Sequence, residues 1–253
     1  VKTDASLSVQ APQPFNLRSK RLAYFWLGLS LQSGALNAGA WIACGKYASH
    51  LTGSATKFGV ELAQGHILFA LSMLSLALFF VLGGMVSGAL IDLNEARGER
   101  ARWDRALGIE FLILFVVLIL AVFDVFGAHG KFYNVHEDYI LVALLSLASG
   151  IQNALFTRRW GTVIRTTHIT GTATDLGIGI VKLFYLRHSK IPSRDLGRVN
   201  ILRAGSIVFF CVGALIGASL HLRFGYAAFL FATLLCLKFY FAERLFTDYR
   251  KKN

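Results

Sequence analysis

The sequence predicts an all-α integral membrane protein of about six transmembrane helices, built as two three-helix repeats of inverted topology, with a broken or re-entrant helical segment after spans one and four. Three observations predict it. Only 16% of the 253 residues are charged while 55% are hydrophobic, whereas a soluble domain of this length carries roughly a quarter charged residues. Six apolar runs approach or exceed the ~20 residues a helix needs to cross a bilayer core. Short polar motifs of the first half recur, in the same order, in the second.

Along the chain, residues 1–17, with Pro12 and Pro14, read as a disordered tail. The first run, 22–44, lacks Asp, Glu, Lys and Arg and follows Arg18, Lys20 and Arg21. That flank suits a secretory signal, but the run exceeds the roughly 7–15 residues of a signal core, so it reads as a retained helix. Run 66–91 is equally free of charge, and run 106–123 carries the single acid Glu110. A carboxylate suits the first turn of a helix, so Glu110 reads as structural. These runs make the first repeat, 18–128. Residues 129–138 form an extracytoplasmic loop. The second repeat, 139–246, holds runs 139–157 and 204–222, then 224–237, which continues past Lys238 into Phe239, Tyr240 and Phe241. A lysine near a helix end extends its amine to the interface. Residues 247–253 are a basic tail.

The formal charge of +12 is distributed as topology demands. Arg and Lys crowd the N-terminal flank, residues 97–105, residues 158–203 and the C-terminus, and are sparse after spans one, three and five. Positive-inside counting puts both termini in the cytoplasm, which requires an even number of spans. Cytoplasmic basic loops explain the charge without nucleic acid, and attraction to anionic lipid heads is its further consequence. Cys44, Cys211 and Cys236 lie in or beside apolar runs without a Cys-x-x-Cys pair, and read as small core residues.

The repeat is carried by three matches. Ser33–Gly34–Ala35–Leu36–Asn37–Ala38 pairs with Ser149–Gly150–Ile151–Gln152–Asn153–Ala154, and His50–Gly59 pairs with His168–Gly177 through identical His, Thr, Gly, Ala, Thr and Gly. Gly84 and Gly88 pair with Gly213 and Gly217. A three-span unit copied in series reverses its orientation, and in such transporters binding sites gather at the repeat interface.

The solute-binding candidates follow. Thr52, Gly53 and Ser54, like Thr170, Gly171 and Thr172, open helix-favourable segments whose free amides would attract an anionic or polar solute if both starts faced a shared cavity. The alternative is that they only cap helices and permit tight packing. Gln32, Asn37, Gln152 and Asn153 place amides inside spans, where each needs a partner. Asn37 and Asn153, at equivalent positions, are expected to meet near the pseudo-twofold axis, joining helices or contacting solute. Lys57 and Asp175, also equivalent, suggest an ion pair or relay, and His50 and His168, immediately ahead of the motifs, are further relay candidates; isolated surface positions and interfacial capping are the plainer alternatives. Gly84, Gly88, Gly213 and Gly217 read as close helix contacts, within the bundle or between protomers. His129–Asp138 gathers two histidines and two carboxylates, but their spacing fits no standard metal pattern. No nucleophile, base and oxyanion set assembles, so neither an enzyme nor a cofactor is expected.

With these residues in hand, the chain resembles the YoaK-like family of six-span bacterial membrane proteins, a domain of unknown function family, through residues 34–59 and 149–177. The resemblance covers nearly everything from span one to span six and implies a bacterial inner-membrane protein. In that family the first motif typically reads Gly-x-x-Asp-Ala, and Asn usually follows each Thr-Gly. Here Asn37 stands for the Asp, and Ser54 and Thr172 for the two Asn, which removes a carboxylate and weakens any proton-coupling role at position 37. The functional expectation is a permease for a small polar or anionic solute; a non-catalytic scaffold or accessory subunit is the alternative. A homodimer is expected to complete an enclosed pathway.

Overall fold

The computed structural model describes the backbone of residues 20–99, 101–130, 137–160, 169–189 and 194–252, and the side chains of 23–99, 101–130, 139–155, 169–189 and 194–245. Among these residues all regular structure is helical: α1 (Lys20–Cys44), α2 (Leu51–Ala63), α3 (Ile67–Gly88), a π-helical stretch (Ala89–Leu93) leading to the single turn α4 (Asn94–Ala96), α5 (Trp103–Val122), α6 (Glu137–Trp160), α7 (Ile169–His188), α8 (Arg194–Phe224), a 3-10 turn (Gly225–Ala228) and α9 (Phe229–Lys252).

The exterior is apolar. Helix α3 exposes Leu68, Leu71, Leu78, Val81, Leu82 and Met85 while burying Ala70, Met73, Leu76, Phe80, Gly83 and Ser87. A surface of this kind needs hydrocarbon as its solvent. Among the described residues four helical stretches are long and apolar enough to cross a membrane: Ile67–Ala96, Trp103–Val122, Ile169–His188 and Arg194–Leu245. The last, 52 residues, includes α8 and most of α9 and bends at Gly225, whose φ of 56° is left-handed. Helix α6 adds the shorter apolar stretch Tyr139–Leu155.

Helix α1 is absent from that group because its polar residues lower its apolarity, and they face inward. It buries Ser30, Gln32, Ser33 and Asn37, and α6 buries Ser146, Ser149, Gln152 and Asn153. Helices α8 and α9 pack on α1, while α3 and α5 pack on α6. A helix screened from lipid in this way can hold amides, because its neighbours supply the partners that lipid cannot.

Contacts fix the relative directions. Helix α1 runs parallel to α8, with Trp26 and Ser30 at Ser206, Gly34 at Phe210 and Gly39 at His221. Helix α3 runs parallel to α6, with Phe80 at Gly150 and Gly84 at Ala154. Helix α9 opposes α5, through Tyr226 to Phe126, Cys236 to Leu107 and Tyr240 to Gly108. Glycines allow both parallel pairs to touch through backbone. A Cβ at Gly34 would stand 2.0 Å from the Phe210 carbonyl oxygen, and one at Gly150 would stand 2.1 Å from that of Phe80. The same holds for Gly213 on Leu31, Gly217 on Ala35 and Gly83 on Leu147.

One expectation of register changes. On α3 the close approach is made by Gly83, with Ser87 buried one turn further, whereas Gly84 and Gly88 are half-exposed and meet only Ala154 and Asp92. One residue is about 100° around a helix, so the neighbouring glycine of each pair points away from the seam.

Candidate functional site: a polar belt between two apolar cores

The interior is layered. One apolar core holds Leu36, Leu114, Leu141, Leu145 and Phe229; the other holds Leu29, Leu107, Ile151, Leu155 and Phe239. On α1 the two cores are represented by Leu29 and Leu36, with Gln32 and Ser33 between them. On α5 Glu110 lies between Leu107 and Leu114 in the same way.

These polar groups meet. Gln32 Nε2 donates to Glu110 Oε1 at 2.9 Å, and Ser33 Oγ donates to Gln152 Oε1 at 2.5 Å. Cys236 of α9 lies against Gln32 and Glu110, its thiol directed at the Leu107 carbonyl at 3.5 Å. Glu110 is 0% exposed and Gln152 1%. Hydrogen-bonding capacity is left over at Gln32 Oε1, Glu110 Oε2 and Gln152 Nε2, all buried without a protein partner. An unmet buried polar atom costs roughly 1–3 kcal/mol, so three in one layer describe a place prepared for other polar groups.

The belt continues to one end of the bundle. Asn37, one turn beyond Ser33, donates to the Ser33 carbonyl at 3.1 Å and to Ser49 Oγ at 2.7 Å, and accepts from the Ser49 amide at 3.1 Å. Gly45, left-handed at φ 68°, turns the chain back after α1. Residues 45–50 then descend alongside α1 to the level of Asn37, about 10 Å below its end. Ser146 of α6 donates to the Ala48 carbonyl at 2.9 Å, so this loop bridges the two central helices above the Ser33–Gln152 bond.

The remaining expected positions are distributed differently. Thr52 and Gly53 are exposed, Ser54 is half-exposed, and the Thr56 hydroxyl donates to the Thr52 carbonyl at 2.9 Å. Thr170 and Gly171 are exposed, Thr172 is buried, and Thr174 donates to Thr170 at 3.0 Å. Helix α2 packs on α3 and α7 on α8, so the two helix starts flank different parallel pairs and do not converge on the belt. Asn37 is engaged by Ser33 and Ser49, not by Asn153, which is buried on α6. Asp175 is held by Arg203, 3.5 Å away, and the Lys57 amine stands 5.0 Å from the Phe69 ring centre, so the expected Lys57–Asp175 pair is replaced by contacts within each half. His50 is exposed beside the Tyr47 ring; His168 lies outside the described residues.

Most of the 129–138 loop is likewise outside them, and among the described residues no three His, Cys, Asp or Glu side chains cluster as metal ligands. His129 instead stacks on His221, its Nε2 3.3 Å from His221 Nδ1, where Gly39 leaves room for the second ring. Burial holds His129 below the ordinary imidazole range.

Sequence reasoning missed Glu110 as a member of the belt. Its signal was visible, a lone acid inside an apolar run, but a first-turn reading supplied a sufficient local reason for it; α5 in fact begins at Trp103, so Glu110 lies about two turns in, beyond the reach of that explanation.

The family model described as "Protein of unknown function (DUF1275)" matches residues 25–242, and so takes in every belt residue from Gln32 to Cys236. The chain belongs to this family. It is 27% identical over 192 residues to the UPF0700 transmembrane protein YoaK of Bacillus subtilis (strain 168), an overlap of 75% of this chain and 80% of that protein. No solved structure matches the chain. A transmembrane relative and an apolar exterior together make this a membrane protein of the YoaK-like family.

Proposed function

We propose that the protein is a permease for a small polar solute, which binds at mid-membrane between α1, α5 and α6. The observation that carries this reading is the belt itself: amide, hydroxyl and carboxyl groups with unused hydrogen bonds, sandwiched between two apolar cores. In this reading α1, α3, α5, α6, α8 and α9 are the six spans, in two inverted units of three, with both termini at the cytoplasmic face of the bacterial inner membrane. The parallel pairing of α1 with α8 and of α3 with α6, each closed by a glycine on a carbonyl, supports the inverted repeat. The descending loop 45–50 supports a re-entrant gate over the belt. Anionic solutes lose ground against neutral ones, since the exposed Thr-Gly helix starts do not face the site.

The test is a thermal-shift screen of purified protein against polyols, sugars, amides, amino acids and inorganic anions, because a ligand of the folded state raises its melting point by mass action. A hit from the neutral classes that disappears in Gln152→Leu supports the permease. Silence across the panel supports the second reading, a scaffold or accessory subunit without catalytic activity, which the tight glycine seams favour. Gly84 and Gly88, half-exposed on α3, are the surface we assign to a second copy.

A further inference from the structure

Glu110 is chemically out of place as an ion. It is 0% exposed, and among the described residues its hydrogen-bond partner is the Gln32 amide, with the Cys236 thiol alongside, neither of them a cation. An ionised carboxylate shut in an apolar interior without a counter-charge costs several kcal/mol or more, so a resting site of this kind holds the neutral acid. The pattern of unmet groups says the same independently. With an ionised Glu110, both Glu110 Oε2 and Gln32 Oε1 are acceptors lacking a donor. One added proton makes the carboxyl a donor, and a carboxylic acid facing a primary amide offers the complementary donor and acceptor. The pair at the start of α5, Asp104 with the Arg102 guanidinium at 3.0 Å, shows the counter-charge that Glu110 lacks.

We propose that Glu110 is a proton-binding site at mid-membrane, protonated while Gln32 and Glu110 are held in contact as here and deprotonated when water enters between them. In the step, the acid O–H bond breaks, its electron pair stays on the carboxylate, and water takes the proton as hydronium; the Gln32 Nε2 hydrogen bond and the entering water stabilise the anion. Resting on the permease reading, this makes the coupling ion of transport a proton.

The experiment is infrared spectroscopy of the full chain in lipid vesicles at neutral pH, with no solute, followed by transfer to D2O. Wild type is expected to show a carboxylic-acid C=O band that is lost in Glu110→Gln, moved in Glu110→Asp, and downshifted in D2O ahead of the slow amide protons of the α5 core. The aspartate variant keeps the assignment testable if the glutamine variant fails to fold. Absence of an acid band assignable to Glu110 overturns the proposal. So does a band that shifts no faster than the helix-core amides, which marks a sealed structural acid. Since no solute is involved, either result stands whatever the thermal-shift panel gives; a silent panel with an exchanging band would sink the permease and leave the proton site.

Discussion

Replacing Gly213 by alanine probes the contact that holds the two halves together. The added Cβ would lie 1.9 Å from the Leu31 carbonyl oxygen and 2.9 Å from its Cα, where ordinary contact begins at 3.4 Å. The obstacle is backbone on a buried helix, so no side chain can rotate away. Helices α1 and α8 must separate by about 1.5 Å at this point, loosening the neighbouring contacts at Gly34 and Gly217. Overpacking of this kind costs roughly 1–3 kcal/mol. Gly59, inside α2, has nothing within 4 Å of its Cβ position, and an exposed helical glycine gains up to about 1 kcal/mol on becoming alanine. Reversible unfolding in mixed micelles of increasing denaturing-detergent fraction should therefore rank the variants Gly213→Ala, wild type, Gly59→Ala in rising stability. Gly213→Ala as stable as wild type would refute the backbone-contact reasoning for this seam.

Three further outcomes follow from the site. Asn37→Ala removes every side-chain bond that holds Ser49, and should raise hydrogen exchange across residues 45–50 and cost roughly 1–3 kcal/mol; unchanged exchange would show that Asn37 does not anchor the loop. Asp175→Asn and Arg203→Leu should couple in a double-mutant cycle by less than about 1 kcal/mol, as Asp175 is 44% exposed, and neither should couple to Lys57→Ala. His129, harder to protonate folded than unfolded, binds fewer protons in the native state; stability should be complete above about pH 6.5 and fall below it. His129→Gln should flatten that decline, and an unaltered pH profile would clear His129 of responsibility.

How much of this was legible in the sequence differs by feature. The membrane character was, since charge-free runs of helical length have few other readings. The matched Ser-Gly motifs located Gly34 and Gly150 at equivalent places, and both turn out to sit on a carbonyl of a parallel neighbour. The α3 seam was misregistered by one residue because Gly83 and Gly84 are adjacent, and sequence carries no information on which of two neighbours faces inward when both lack a side chain. The belt was half visible: Gln32 and Gln152 stood out as amides in apolar runs, but their partners Glu110 and Ser33 come from distant helices or a neighbouring repeat. The Asn37–Ser49 bond was hidden, since it depends on a left-handed turn at Gly45 that folds the chain back. Pairing by pseudosymmetry failed for Lys57 and Asp175 because each found a nearer partner on its own hairpin.

The central claim, that polar groups between α1 and α6 receive a solute from water, is tested most directly by cysteine accessibility. Gln152→Cys, in a chain with Cys44, Cys211 and Cys236 replaced by alanine, would be treated in sealed vesicles with a small, charged, membrane-impermeant thiol reagent. The account predicts labelling at position 152, slowed by any ligand found in the thermal-shift screen. A thiol that reacts only with lipid-soluble reagents, or with none, would contradict it and leave a dry, closed bundle.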